Sequence, residues 1–276
     1  MFKKRWKQLS IVLLLFALIG FLAACGSDGG EADGSGDSGG DSGDDSGESS
    51  ELKDSYVVAT DSSFVPFEFK EDGEYVGFDI DLINAIADEA GFDIELEVTN
   101  FDGIIPGLQT GSFDIAIAGI SITEERAEKI DYSDPYYESG LAIGVPEENE
   151  DIQGIEDLEG KTIATRLGST SASYIEENID NADPSQFEQL DQAYLAVENG
   201  SADAVLYDAP NVNYYIQTTG DGLKVVGDLY QAEDYGIAIS KGQEELVTAI
   251  NDALATLKEN GTYDEIYAKW FGEQSE

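Results

Sequence analysis

From Tyr56 to Phe271 the chain alternates short β-branched runs with segments of helical period. The runs are YVVAT, FDIELEV, FDIAIAGI, KTIATR, ADAVLY, LKVVG and YGIAIS; among them stand DIDLINAIADEAG, ASYIEENI, QAYLAVENG and QEELVTAINDALATLKENG. A strand followed repeatedly by a helix returns to its sheet by crossing over it, so the pattern predicts an α/β architecture with largely parallel sheets. Roughly 220 residues is large for one sheet, and two lobes are expected. No repeat of solenoid period is apparent.

The helical segments mark their own ends. Asp79 can cap DIDLINAIADEAG, in which Ile80, Ile83, Ile86 and Ala87 form an apolar stripe and Gly91 supplies a left-handed stop. Thr123 can cap SITEERAEKI and place Arg126 on its first turn. KENGTYDEIYAKWFG breaks at Asn260-Gly261, restarts at Thr262 and ends in Trp270 and Phe271, two rings suited to packing against a lobe.

Charge removes several functions. The 276 residues carry 58 acids, 14 bases and no histidine, a formal net charge of −44. Residues 55 to 276 alone hold 48 acids against 9 bases. A phosphate backbone requires clustered Lys and Arg, so nucleic acid is excluded as a partner. Self-repulsion of this size destabilises a compact state unless salt screens it over a Debye length of roughly 10 Å at 0.1 M, which predicts a salt-loving, halophilic setting.

The first residues read as a targeting segment. MFKKRWKQ is basic, LSIVLLLFALIGFL is apolar but short for a bilayer span of about 20 residues, and LAAC ends in the only cysteine. LAAC resembles the lipobox of bacterial lipoproteins. That resemblance implies a signal peptide over 1–24, a lipid on Cys25, and anchoring at the extracellular face of the cell membrane. Residues 26–54 are Gly, Ser and acids with almost nothing to bury, so 25–54 is expected to be a flexible tether to the folded region.

The stretches ATDSSFVPFEF, GFDIDLINAIA, FDGIIPGLQTG, DIAIAGISITEERAEKIDYSDPYY, ADAVLYDAPN and NGTYDEIYAKWFG, in this order, resemble the type-3 solute-binding proteins of amino-acid ABC importers, glutamine-binding proteins most of all. Each motif is weak alone; together they cover nearly the whole folded region. The resemblance implies a two-lobed, type II periplasmic-binding-protein-like fold with two hinge crossings, near Tyr137 to Gly140 and Gln231 to Tyr235, and a ligand in the inter-lobe cleft. Lobe 1 would be 55–139 plus 236–272, lobe 2 140–235, and 273–276 a tail.

The resemblance also implies a site. Beyond residue 5 the chain has two arginines, Arg126 and Arg166. Arg126 would hold the ligand carboxylate, since a planar guanidinium offers it two parallel donors. Gly168 and Thr170, with Ser169 at a helix start, would add backbone N–H groups. Gly119, Ser121 and Asp208 would accept from the ligand ammonium, Asp208 standing at a strand end where α/β folds bind ligands. Phe64, in what reads as an irregular turn, and Phe101 would clamp the ligand stem. Asp61, Arg166 and Tyr207 would read its side chain. An acceptor and a donor on opposite lobes suit a carboxamide, so glutamine is expected first. Arg166 stands where the glutamine-binding pattern has lysine and Tyr207 where it has histidine. The implied partners are the free amino acid, a permease and its ATPase, with the protein itself a monomer. Alternatives are a basic amino acid as ligand, a sensor acting on a membrane receptor, and a small-carboxylate dehydratase on the same fold. With no histidine and no cluster of metal-ligand type, neither an enzyme nor a metal or other cofactor is expected.

Overall fold

The computed structural model describes residues 52–219 and 222–272. The signal segment, Cys25, nearly all of the tether and the tail 273–276 lie outside the described residues, as do 220 and 221. The chain runs β1 (Ser55–Thr60), β2 (Ser63–Phe64), β3 (Glu68–Glu71), β4 (Glu74–Val76), α1 (Phe78–Ala90), β5 (Asp93–Val98), α2 (Phe101–Thr110), β6 (Ile115–Ala116), α3 (Glu124–Ala127) and β7 (Asp131–Tyr132). β8 (Tyr137–Pro146), β9 (Thr162–Arg166), α4 (Thr170–Asn178), β10 (Asp183–Phe187), α5 (Leu190–Glu198), β11 (Ala204–Asp208), α6 (Ala209–Thr219) and β12 (Leu223–Tyr235) follow, before β13 (Ala238–Ile239), α7 (Glu244–Asn260) and α8 (Thr262–Phe271).

Two five-stranded sheets result, ordered β5-β1-β6-β13-β7 and β10-β9-β11-β8-β12, with a small antiparallel β2-β3-β4 sheet beside the first. The chain passes from the first sheet to the second between β7 and β8 and returns between β12 and β13. This is the two-lobed α/β fold expected. The sheets are not largely parallel, however. β1 pairs in parallel with β5 and β6, and β9 with β10 and β11, but β13 and β8 each run antiparallel to both neighbours. The reason is topological: strands that leave or re-enter a lobe through the crossings are joined to it without a crossover helix.

β8 and β12 form one long antiparallel ribbon from Tyr137 opposite Tyr235 to Pro146 opposite Leu223, with register shifts on either side of Tyr230. Gln231 within it has φ 41°. At the lobe 1 end the Tyr235 backbone also bridges Ser121.

Helix α1 shows why one cap expectation fails. Its N-cap is Gly77, at φ 139°, where a Cβ would lie 2.0 Å from the Phe67 carbonyl oxygen. The Phe78 and Asp79 N–H groups donate to the carbonyls of Pro66 and Phe67 at 2.9 Å each. With the first turn satisfied by backbone, Asp79 is not the cap and its carboxylate turns inward. The stripe Ile80, Ile83, Ile86 and Ala87 is buried as expected, and Gly91 ends the helix in the left-handed region. Truncating Ile86 to Ala would cost about 2 to 5 kcal/mol.

Other ends follow the reading. The Thr123 side chain accepts from the Arg126 N–H, and Gly261 at φ 87° separates α7 from α8. Trp270 and Phe271 are only half buried; Phe271 packs on Phe67, Phe78, Tyr137 and Tyr267, while the Trp270 indole donates to Asp81.

Candidate functional site

The lobes meet along a line of direct contacts. Arg166 Nη2 from the end of β9 lies 2.5 Å from Asp61 Oδ2 after β1, with both side chains 1% exposed. The Asn211 amide donates to the Val65 carbonyl at 2.6 Å, and Asn100 meets Glu188 and Gln189. Arg126 Nη2 donates to the Gly168 carbonyl at 3.1 Å and Nη1 to the Ser121 carbonyl at 3.0 Å. The lobes are therefore closed.

Arg126 is half buried and, among the described residues, makes no ion pair; its neighbour Glu125 pairs instead with Lys129. Its guanidinium lies 5.5 Å from the Phe101 ring centre, and that of Arg166 lies 5.1 Å from the same ring. Phe101 opens α2 and both arginines of the folded region converge on it. Arg126, Phe101, Gly168 and Thr170 line a cavity of about 630 Å³ between the lobes. Asp61, Phe64, Tyr207 and Asp208 are all buried.

Phe64 is not in an irregular turn; it ends the two-residue β2, paired to Glu68. It stacks on Phe67 at 4.8 Å and meets Tyr207 and Tyr235 edge-on. It also covers Gly119, where a Cβ would sit 2.2 Å from the ring and φ is 53°, so only glycine fits. The Gly119 N–H turns away from the cleft to Asp79 Oδ2 at 2.9 Å and Tyr136 Oη at 3.2 Å, and Tyr136 itself donates to Asp79.

At the turn after β9, one of the N–H groups expected to face an anion, that of Ser169, is engaged locally. Ser169 caps α4 by accepting from the Ala172 N–H, and both its hydroxyl and its own N–H donate back to the Arg166 carbonyl. The Ser169 N–H is thus engaged locally, and Gly168 presents its carbonyl to Arg126.

Desolvation dominates the electrostatics. Burial works against the charge on Arg166, but Tyr207 and Asp61 outweigh it and hold the guanidinium above its ordinary pKa. Even so Asp61 Oδ1 and Arg166 Nε and Nη1 have no hydrogen-bond partner, leaving one acceptor and two donors uncommitted. Asp208, last residue of β11, is pushed up to about 8 by burial and then by Glu233, against the lowering influence of Tyr235 and both arginines. Asp79 is raised to about 7 by burial, although Gly119 and Tyr136 oppose it. Burial, then Asp79 and Asp61, push Glu68 well above the carboxylate range.

The structure thus gathers Asp61, Phe64, Phe101, Gly119, Ser121, Arg126, Arg166, Gly168, Tyr207 and Asp208 at the lobe junction, with Thr170 at its rim. Glu233, Glu68 and Tyr136 escaped the sequence reading, which took Asp79 for a helix cap and Tyr235 for a hinge residue. Ser121 Oγ donates to Glu233 Oε2 at 2.6 Å, and Tyr235 Oη donates to Asp208. The period of two along a strand puts Glu233 on the face of Tyr235, inside a segment already singled out as a hinge; that signal was available.

Comparison with known proteins agrees with the two-lobed fold. Over 273 residues the chain is 35% identical to the glutamine-binding protein GlnH of an ABC transporter in Bacillus subtilis (strain 168), covering 97% of this chain and 98% of that one. It superposes on an ancestral arginine-binding protein bound to arginine with a TM-score of 0.77, at 43% identity over 80% of this chain and all of the other. An ancestral arginine-binding protein bound to glutamine gives 0.76, at 42% identity over 81% and 100%. The family model for bacterial extracellular solute-binding proteins, family 3, matches residues 56–273, and the chain belongs to that family.

Proposed function

We propose that the protein captures a free amino acid, glutamine, outside the cell and delivers it to an ABC permease and its ATPase. One observation carries the choice of side chain: Arg166 and Asp61 neutralise each other across the cleft yet keep two donors and one acceptor unused. A carboxamide presents the complementary acceptor and donors and brings no charge. A cationic side chain would have to draw Asp61 from Arg166, and like charges in a closed site cost several kcal/mol. Glutamate meets the same obstacle at Asp61.

In this reading Arg126 holds the ligand carboxylate, Gly119, Ser121 and Asp208 take the ammonium, and Phe64 and Phe101 flank the stem. Arg126 is poised for the anion because its present partners are two carbonyls, neutral groups that a carboxylate outcompetes. The work is binding without covalent chemistry. Cys25 after LAA supports a lipid anchor at the membrane's outer face, and the excess of 48 acids over 9 bases in residues 55 to 276 supports a high-salt milieu.

A basic amino acid is the second reading, favoured by the likeness to an ancestral arginine-binding protein solved with arginine, although one solved with glutamine is about as similar. Titration calorimetry in 2 M and 0.1 M NaCl against glutamine, glutamate, arginine, lysine and histidine separates the two. Preference for glutamine, lost in Arg126→Ala, is expected. Preference for arginine or lysine would replace glutamine by a basic ligand, and no binding by folded protein at either salt would end the amino-acid reading.

A further inference from the structure

Asp208 is the acid expected to meet the ligand ammonium, and it does not stand alone. Glu233 projects from β12, inside the crossing ribbon, and is 8% exposed. Its two oxygens are held by uncharged donors: Ser121 Oγ gives Oε2 a hydrogen bond of 2.6 Å, and Gln231 Nε2 gives Oε1 one of 2.7 Å. No cation forms an ion pair with it among the described residues. Ser121 donates its only hydroxyl proton to this carboxylate, so its oxygen keeps its lone pairs for accepting from a ligand donor. Two residues on, Tyr235 gives its hydroxyl proton to Asp208, on the neighbouring strand system.

We propose that Glu233 is a second acid of the ammonium site, acting with Asp208 on one ligand cation so that capture of the amino acid expels a proton from the protein. The inference rests on the amino-acid reading above. In the empty site Asp208, buried and then raised further by Glu233, has a pKa of about 8 and so holds a proton near neutral pH. The groups facing Asp208 are Glu233 and Tyr235 from β12, Arg126 from α3, Arg166 from β9, its neighbour Tyr207, and Tyr194 from α5. Both arginines favour its ionisation but have other partners: Arg166 is committed to Asp61, and Arg126 lies beside Ser121 and Gly168. An ammonium arriving at Ser121 supplies the missing charge. The O–H bond of Asp208 then breaks, the proton leaves to water, and the Asp208 carboxylate faces the ligand cation beside Glu233. No electron transfer or covalent bond to the ligand is involved.

The consequence is a pH dependence with a definite sign. Affinity rises with pH between about 6 and 8, because an empty site that has already lost the proton no longer has to release it. Calorimetry of the purified protein with glutamine at about pH 7, in buffers of different ionisation enthalpy, counts the protons directly; close to one released per ligand is expected. Glu233→Gln keeps the shape and a Ser121 partner but removes the charge. It is expected to release far fewer protons at neutral pH, to flatten the affinity profile from pH 6 to 8, and to bind at least ~10-fold more weakly at pH 8.5. Loss of packing alone would weaken binding equally at every pH. Wild-type protein that binds with no proton exchange from pH 6 to 8 would overturn the proposal whatever the variant does. A Glu233→Gln protein with wild-type affinity and proton count would overturn it while leaving the amino-acid reading intact. If Asp208→Asn, too, retained full affinity, the ammonium site itself would be misplaced and both readings would fall.

Discussion

Two buried acid clusters lie close together in this molecule and solve the same problem in opposite ways. Asp61 is neutralised by Arg166 from the other lobe. Glu68 and Asp79, inside lobe 1, form no ion pair among the described residues, and burial drives both pKa values up, although Arg166 draws Glu68 partly back. A proton travels with its lobe and is indifferent to closure. An arginine on the opposite lobe leaves when the lobes part, and each partner then regains water. The first cluster is therefore directly sensitive to the open–closed equilibrium, and the second only through the weaker pull of Arg166 on Glu68. Buried charge alone does not mark the binding chemistry; which lobe supplies the neutralising partner does.

The sharpest way to break the contrast is to remove one member of the cross-cleft pair. Asp61→Ala would leave Arg166 buried and uncompensated, at about 3 to 5 kcal/mol, so glutamine affinity measured by calorimetry should fall by two orders of magnitude or more. Thermal stability should fall less, since the open form lets Arg166 reach water. A loss of stability as large as the loss of affinity would show that the pair supports the fold rather than closure.

The proton-held cluster makes the complementary prediction. For a carboxyl whose folded pKa lies above its unfolded one, the folded state binds more protons, so stability is full below the unfolded value near 3.8 and is lost as pH rises through the folded value. Asp79, at about 7, should make ligand-free protein about 2 to 3 kcal/mol less stable at pH 8 than at pH 5. Asp79→Asn should flatten that slope in urea melts at constant high salt. An unchanged slope would assign the effect to the general acidic surface instead.

A smaller effect tests the joint between the clusters. Gly119 stands between them, its N–H on Asp79 and its α-carbon under Phe64. Gly119→Ala strains a φ of 53° and pushes the ring, costing about 1 to 3 kcal/mol and weakening glutamine binding in the same titration. Smallest of all, Lys129→Ala removes an exposed, solvent-screened pair with Glu125 and should leave the melting free energy unchanged within error. A larger change would mean that isolated bases matter on so acidic a surface.

These contrasts also show what a sequence can carry. The stripe of α1, the Thr123 cap and the Asn260-Gly261 break were legible because each rests on neighbours within a turn of the chain. Arg126 and Arg166 were legible because cations are scarce here. The role of Asp79 was not: its spacing suits a cap, and only the carbonyls of Pro66 and Phe67, brought in by the preceding loop, release it for Gly119. Glu233 was hidden among 48 acids, and its meeting with Ser121 is a contact across 112 positions. The antiparallel half of each sheet was hidden for the same reason, since a two-residue strand such as β13 has no period to read.

The ribbon of β8 and β12 has a mechanical meaning. Its ladder is interrupted twice within a few residues, around Tyr230, and Gln231 adopts a left-handed backbone there. A continuous ladder resists flexing because bending stretches its hydrogen bonds together; an interrupted one concentrates curvature where no bond is stretched. The ribbon acts as a leaf spring with a thinned waist, stiff towards each sheet and compliant between them. Glu233 stands at the edge of that waist, so the residue proposed to answer the ligand's charge sits where the ladder is interrupted.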